Sequence, residues 1–192
     1  MSAEIIDGKA IAAKIRAGLK ARVIADKSEN LPVLAVILVG DNEASKIYVR
    51  NKKRMAAEIG LGCEVLEFSE SMGEQALLAT IEELNENPHI NGILVQLPLP
   101  AHINPLNVLA KIDPAKDVDG FNPYNAGLLM TKEPEAVVAA TPKGIVRLLH
   151  EVGVQLPGKH AVIIGRSNIV GRPLAMALLN EDCTVTICHT RT

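Results

Sequence analysis

The sequence predicts an α/β protein built on open parallel sheets. Three observations carry this expectation: apolar runs rich in β-branched residues, stretches of helical periodicity between them, and Gly, Asn, Asp or Pro at each change of pattern. At 192 residues, the length allows one large domain or two small ones. Hydrophobic residues at 48% and charged residues at 22% exclude a disordered polymer. A net charge of −2 leaves no basic surplus for nucleic acid or an anionic membrane surface. No apolar run approaches the ~18 residues of a membrane span. The start, MSAEIIDGKA, has early acids and no apolar signal core, so a cytoplasmic protein is expected. Cys63, Cys183 and Cys188 lack zinc-type spacing and suit free thiols in a reducing compartment. The four aromatics are Tyr48, Phe68, Phe121 and Tyr124, so the core must be aliphatic.

Ile11, Ile15, Leu19 and Val23 form a helical stripe, with Asp7 placed to cap it. Val33 to Val39 is continuously apolar and closes on Gly40, the mark of a strand buried on both faces. A helix follows from about Ala44 to Ile59, with Gly60 as its left-handed cap. Cys63 to Phe68 alternates as a strand, and Gln75 to Leu84 is a helix stopped by Asn87-Pro88. Ile90 to Val95 is a third strand leading into Gln96, and Asn104-Pro105 opens a short helix. Asp113 to Glu135 lacks periodicity and reads as a long ordered loop. Thr141-Pro142 starts a helix running to Val152, and Pro157-Gly158 is a turn. His160 to Ile164 is a strand, Gly171 to Asn180 a helix, and Cys183 to Cys188 a strand. The domains are drawn as residues 1–140 and 141–192, the second holding too few strands for a complete doubly wound unit.

In VIIGRSNIVGRP, Val162 to Pro173, an apolar strand enters Gly165, a polar turn follows, and Gly171 opens a helix. Such a turn lets a pyrophosphate approach the backbone beside a helix N-terminus with its unpaired N–H groups. Arg166 and Ser167 are placed to touch phosphate, although the spacing is not G-x-G-x-x-G. On spacing alone, an ordinary strand-to-helix turn accounts for the same residues. The next strand ends in His189-Thr190-Arg191-Thr192, without the acid that would bind the 2′-hydroxyl of NAD. A cationic, hydroxyl-rich end suits a 2′-phosphate, hence NADP; the competing reading makes Arg191 an ordinary surface charge.

Ser45, Tyr48 and Lys52 lie at i, i+3 and i+7 on the helix after the first strand, which begins where open α/β sheets bind ligands. Gln96 ends the third strand at the same edge, and Asp117 and Asp119 follow in KDVDGF. A desolvated lysine can act as general acid or base, a tyrosine can stack on a heterocycle, and an aspartate can accept paired hydrogen bonds. Taken singly, each residue also has a structural reading: a solvated face at KKR, a backbone partner for Gln96, and turn aspartates.

The segments SKIYVRNKK (Ser45 to Lys53), GILVQLPLP (Gly92 to Pro100), DPAKDVDGFNPYNAG (Asp113 to Gly127), TPKG (Thr141 to Gly144) and GRSNIVGRP (Gly165 to Pro173) occur in order along the chain. Together they resemble the bifunctional methylenetetrahydrofolate dehydrogenase/methenyltetrahydrofolate cyclohydrolase family. The resemblance implies a folate-binding domain with an open parallel sheet, a Rossmann-like NADP-binding domain and a cleft between them. It implies NADP-dependent oxidation of 5,10-methylenetetrahydrofolate to the methenyl cation, then hydrolysis to 10-formyltetrahydrofolate. Lys52 would be the catalytic lysine, Tyr48 the residue stacked on folate, Gln96 the partner that tunes the lysine, and Asp119 the pterin anchor. Gly165, Arg166, Ser167, Gly171, His189, Thr190 and Arg191 would hold NADP. A homodimer is implied as well. The family's pattern continues with further strands and a second glycine segment, so the cofactor domain is expected to be represented here only in part. Two other classes stay open on the residues alone: a non-catalytic folate- or nucleotide-binding or dimerising fragment, and a different two-domain NADP dehydrogenase.

Overall fold

A computed structural model describes residues 5–26 and 31–192. Its elements are α1 (Gly8–Ala25), β1 (Val33–Val39), α2 (Glu43–Ile59), β2 (Gly62–Phe68), α3 (Glu74–Glu86), β3 (Gly92–Val95), α4 (Pro105–Lys111), α5 (Pro123–Met130), α6 (Ala140–Glu151), β4 (His160–Ile164), α7 (Gly171–Asn180) and β5 (Thr184–Cys188). They divide into two compact units: Ile15–Val118, and Asp119–Thr192 with the N-terminal residues through Lys14.

In the first unit three parallel strands lie in the order β2-β1-β3. The central position of β1 explains its unbroken apolar run, because Ala35 to Val39 face cover on both sides and are buried. Asn42 starts α2, its side chain accepting from Ser45 N at 3.0 Å. Gly60, at φ 92, ends the helix in the left-handed conformation that glycine adopts without a Cβ penalty. Helix α3 buries Leu77, Ile81 and Leu84, a single stripe at helical spacing. Beyond β3 the sheet gains one parallel bridge, Ile93 with Asp117, and Ile93 N donates to Lys116 O at 2.7 Å. The parallel register brings the carboxyl ends of β1 and β3 to one edge, where Gln96 N still donates to Ile37 O at 2.9 Å.

In the second unit β4 and β5 pair in parallel from His160↔Thr184 to Ile164↔Cys188. Helix α7 covers them through a core of Leu156, Ile163, Leu174, Ala175, Leu178 and Cys183, with Ile145, Val146 and Leu149 of α6 packed against it. Gly120, at φ +66, lies so close to the backbone of Val137 that a Cβ would fall 2.1 Å from its carbonyl oxygen.

Two expectations need correction. The segment from Asp113 to Glu135 is not one long loop, since it contains α5. Asn122 caps that helix through Tyr124 N at 2.8 Å, and Pro123 occupies its first turn. The same Asn-Pro signal opens α4, but eight residues with no apolar stripe give periodicity nothing to register. The apolar stripe of α1 is also shallower than its spacing suggests. Asp7 does cap it, accepting from Ala10 N at 2.9 Å, yet Ile11, Ile15 and Val23 are half-buried and Leu19 is 39% exposed.

Within the second unit the start of α1 is tied to α6 by Lys14, whose Nζ lies 3.0 Å from Glu151 Oε2. The hydrogen bond from Lys14, and then that from Arg147, holds the Glu151 carboxyl below its ordinary range. A depressed carboxylate stabilises the fold above its unfolded pKa, and the contribution is lost as pH falls through the folded value. Hydrogen-exchange protection of residues 10–14 is therefore expected to drop on acidification below pH about 4, and to lose that dependence in Glu151→Gln. Protection that stays level through this range in the unsubstituted protein refutes the tie.

Candidate active site and dinucleotide turn

The first candidate site stands at the carboxyl edge of the β2-β1-β3 sheet. Lys52 Nζ donates to Gln96 Oε1 at 3.0 Å. Gln96 Nε2 donates to Leu97 O at 2.7 Å, and Ser45 Oγ donates to the same carbonyl at 3.5 Å. Because the amide nitrogen is committed to Leu97 O, the amide oxygen is the end that faces the lysine. The carboxamide accepts from an ammonium and from a neutral amine alike, so it can orient Lys52 through a change of protonation. Ser45 is 2% exposed and ties α2 to the strand end, whereas Tyr48, one turn before Lys52, is 61% exposed. A groove of about 300 Å³ opens at the same sheet edge, lined by Gly40, Asp41, Asn42, Glu70, Pro98 and Pro100 among others.

Of the residues singled out in the sequence, Lys52, Gln96 and Ser45 form one hydrogen-bonded chain, and Tyr48 shares their helix. Asp117 is buried, and its backbone bridges to Ile93. Asp119 is half-buried and begins the longer segment of the second unit. The carbonyl of Leu97 is a participant that sequence reasoning missed. Main-chain groups carry no residue-type signal, although its place immediately after Gln96 and before Pro98 marks a constrained turn.

The second candidate site is the turn between β4 and α7. Gly165, at φ +128, sits in a conformation that favours glycine, and its N–H donates to Cys188 O at 2.8 Å. Gly171 opens α7 against the same turn, where a Cβ would fall 2.3 Å from Gly165 O. Ser167 Oγ accepts from Val170 N at 3.1 Å and Gly171 N at 3.3 Å, so the hydroxyl caps the helix start and keeps its own hydrogen to donate outward. Arg166 is exposed beside it.

At the end of β5, which lies beside the end of β4, residues 189–192 fold into a turn. His189 N donates to Thr192 Oγ1 at 2.9 Å, and Arg191 N donates to His189 Nδ1 at 3.1 Å. Thr190 and Arg191 remain exposed. Phosphate-approaching backbone, a helix N-terminus, and a cationic strand end without an acid fit a phosphorylated dinucleotide.

An open parallel sheet with an amine–carboxamide pair at its edge, followed along the chain by a glycine-containing strand–turn–helix, fits a two-part α/β enzyme of the nucleotide-dependent dehydrogenase class. Residues 6–119 match the tetrahydrofolate dehydrogenase/cyclohydrolase catalytic domain, and residues 139–192 match the NAD(P)-binding domain of the same family. The chain belongs to the tetrahydrofolate dehydrogenase/cyclohydrolase family. It is 52% identical over 191 residues to the bifunctional protein FolD of Streptococcus agalactiae, covering 98% of this chain and 67% of that relative. The bifunctional FolD methylenetetrahydrofolate dehydrogenase/cyclohydrolase of Campylobacter jejuni superposes with a TM-score of 0.96 at 46% identity, over 98% of this chain and 67% of that one. The Trypanosoma brucei enzyme, solved with NADP cofactor and inhibitor, superposes with a TM-score of 0.94 at 37% identity, over 100% of this chain and 66% of that one.

Gly171→Ala is expected to weaken NADP binding by more than tenfold, because a Cβ there forces α7 away from Gly165 O. Titration followed by the fluorescence of NADPH, the reduced form, checks this, and binding within twofold of the unsubstituted protein defeats the cradle assignment.

Proposed function

We propose that this protein oxidises 5,10-methylenetetrahydrofolate to the 5,10-methenyl cation with NADP and hydrolyses that cation to 10-formyltetrahydrofolate. The observation that carries the reading is the 3.0 Å bond between Lys52 and Gln96 at the carboxyl edge of the sheet. When bound, NADP supplies the hydride acceptor for the first reaction. Gly165, Gly171, Ser167 and Arg166 hold its pyrophosphate, and His189, Thr190 and Arg191 receive the 2′-phosphate. Tyr48 stacks on the folate, and Asp119 anchors the pterin by accepting hydrogen bonds from its amino-pyrimidine edge.

In the second reaction the substrate is itself a cation, so a fixed positive charge on Lys52 would repel it. Gln96 allows Lys52 to give up a proton without losing its place. Lys52 as the neutral amine takes a proton from the attacking water while Gln96 Oε1 keeps the remaining N–H groups aimed. The folate chemistry is assigned to residues 1–140 and the cofactor to 141–192. The setting is cytoplasmic and the assembly a homodimer, with no metal, nucleic acid or membrane required. Among the described residues no helix is long and apolar enough to cross a membrane.

The test is the absorbance change of NADP reduction with methylenetetrahydrofolate in the full-length protein, followed by decay of the methenyl absorbance. A preference for NAD over NADP overturns the cofactor assignment, and the absence of any folate-dependent reduction overturns the reading as a whole.

A further inference from the structure

We infer that Lys116 is a positioning residue for the folate side of the site, its ammonium fixing the course of the chain that leads to Asp119. The inference rests on the function proposed above and names a residue that the reading does not use.

Lys116 Nζ donates to three backbone carbonyls at the end of α3: Leu84 O at 2.9 Å, Asn85 O at 2.6 Å and Asn87 O at 2.8 Å. Leu84 O and Asn85 O are among the carbonyls a helix C-terminus leaves unpaired, at the negative end of its dipole, and Asn87 O just beyond the helix also accepts from Ile90 N at 3.2 Å, so the cation meets both the dipole and the open acceptors. An ammonium has three donors, and each finds an acceptor here. The surrounding loop is held to the same helix end. Asn85 Nδ2 donates to Lys111 O at 2.8 Å, and Asn85 Oδ1 accepts from Asp113 N at 2.9 Å.

The backbone of Lys116 is fixed on its other side to β3. Its carbonyl accepts from Ile93 N at 2.7 Å, and Asp117 forms the parallel bridge with Ile93. Val118 then packs on Gly92, where a Cβ would meet Val118 Cγ1 at 2.4 Å. Lys116 is therefore clamped by its side chain to α3 and by its main chain to the strand that ends in Gln96. Two residues beyond this clamp the chain leaves the unit at Val118, and Asp119 follows. Releasing the ammonium frees one side of the clamp and leaves Leu84 O and Asn85 O to find other partners, while Asn87 O keeps its bond from Ile90 N. The segment carrying Asp119 then loses its fixed starting point, while the Lys52–Gln96 bond is untouched.

The experiment compares Lys116→Met and Lys116→Arg with the unsubstituted full-length enzyme. KM for methylenetetrahydrofolate is expected to rise at least tenfold in Lys116→Met. NADP affinity should stay within twofold, and the pH profile of the cyclohydrolase step should be unchanged, because neither the cofactor turn nor Lys52 is altered. Lys116→Arg, which keeps a cation and several donors, is expected to recover part of the loss. A folate KM within twofold of the original overturns the proposal. So does a parallel fall in folate and NADP affinity, or failure of both variants to fold, since either marks a residue needed for the fold alone. Inactivity of the unsubstituted enzyme toward methylenetetrahydrofolate would overturn the proposed function instead, and the two failures are thus distinguishable.

Discussion

Lys52→Met is expected to lower cyclohydrolase turnover by about 100-fold or more, the range in which loss of a positioned general acid or base is felt, roughly 10²–10⁴. Methionine keeps the length and apolar stem of lysine and removes only the titratable amine. Lys52 is half-buried near the middle of α2, with its outer turns held by the Asn42 and Gly60 caps, so the helix itself should survive. Gln96 loses the donor at its Oε1 but keeps its Nε2 bond to Leu97 O, so the carboxamide stays in place. Cofactor binding, proposed for residues 165–191, should be unaffected. Following the decay of preformed methenyltetrahydrofolate isolates the hydrolytic step from the oxidation. Turnover preserved in Lys52→Met would remove the amine from the mechanism and leave the edge of the sheet with only a binding role.

Gly120→Ala is expected to destabilise the protein by about 3 kcal/mol or more, since it combines a strained backbone with overlap against groups that cannot rotate aside. Its Cβ would lie 2.1 Å from Val137 O, 2.9 Å from Val137 C and 3.1 Å from Ala139 N, all main-chain atoms, at a φ of +66. Flexible side chains relieve such contacts by changing rotamer, whereas here a backbone segment must move. The control is Gly144→Ala in α6, where a Cβ meets nothing within 4 Å. That change should stabilise the helix by roughly 0.5–1 kcal/mol, because alanine loses less conformational freedom than glycine. Denaturant unfolding separates the two, with the midpoint of Gly120→Ala falling sharply at an unchanged slope. Equal midpoints for the two variants would show that the 120–137 contact yields without cost. Gly120 directly follows Asp119, so a surviving variant should also show weakened folate binding.

Much of the scaffold was legible in local pattern. The unbroken apolar run of β1 announced burial on both faces, and Gly60 marked the end of α2, whereas the Asn42 cap at its start emerged only in the structure. His160–Ile164 and Gly171–Asn180 were legible to the residue, because an apolar strand and an amphipathic helix met a glycine-containing turn between them. Helix α5 was hidden by its shortness, despite an Asn122-Pro123 start that the same reasoning used for α4. The stripe and Asp7 cap of α1 were legible in the same way, while the 39% exposure of Leu19 is a property that periodicity does not report. Spacing placed Ser45, Tyr48 and Lys52 on one helix. It could not choose between a solvated KKR face and a lysine bonded to Gln96, 44 positions away.

The sequence by itself determined the parallel-strand architecture, the Gly60 cap of α2 and the Asn104 cap of α4, the glycine turn and the residue types available at each strand end. All of these depend on neighbours within a few positions of one another. Only the tertiary structure decided that Gln96 presents its oxygen to Lys52, that Leu97 O receives both Gln96 and Ser45, and that Lys116 closes the end of α3. Those outcomes depend on the approach of segments distant in the chain and on main-chain groups common to every residue. Strand register and helix packing bring them together, and no local pattern of side chains encodes the meeting.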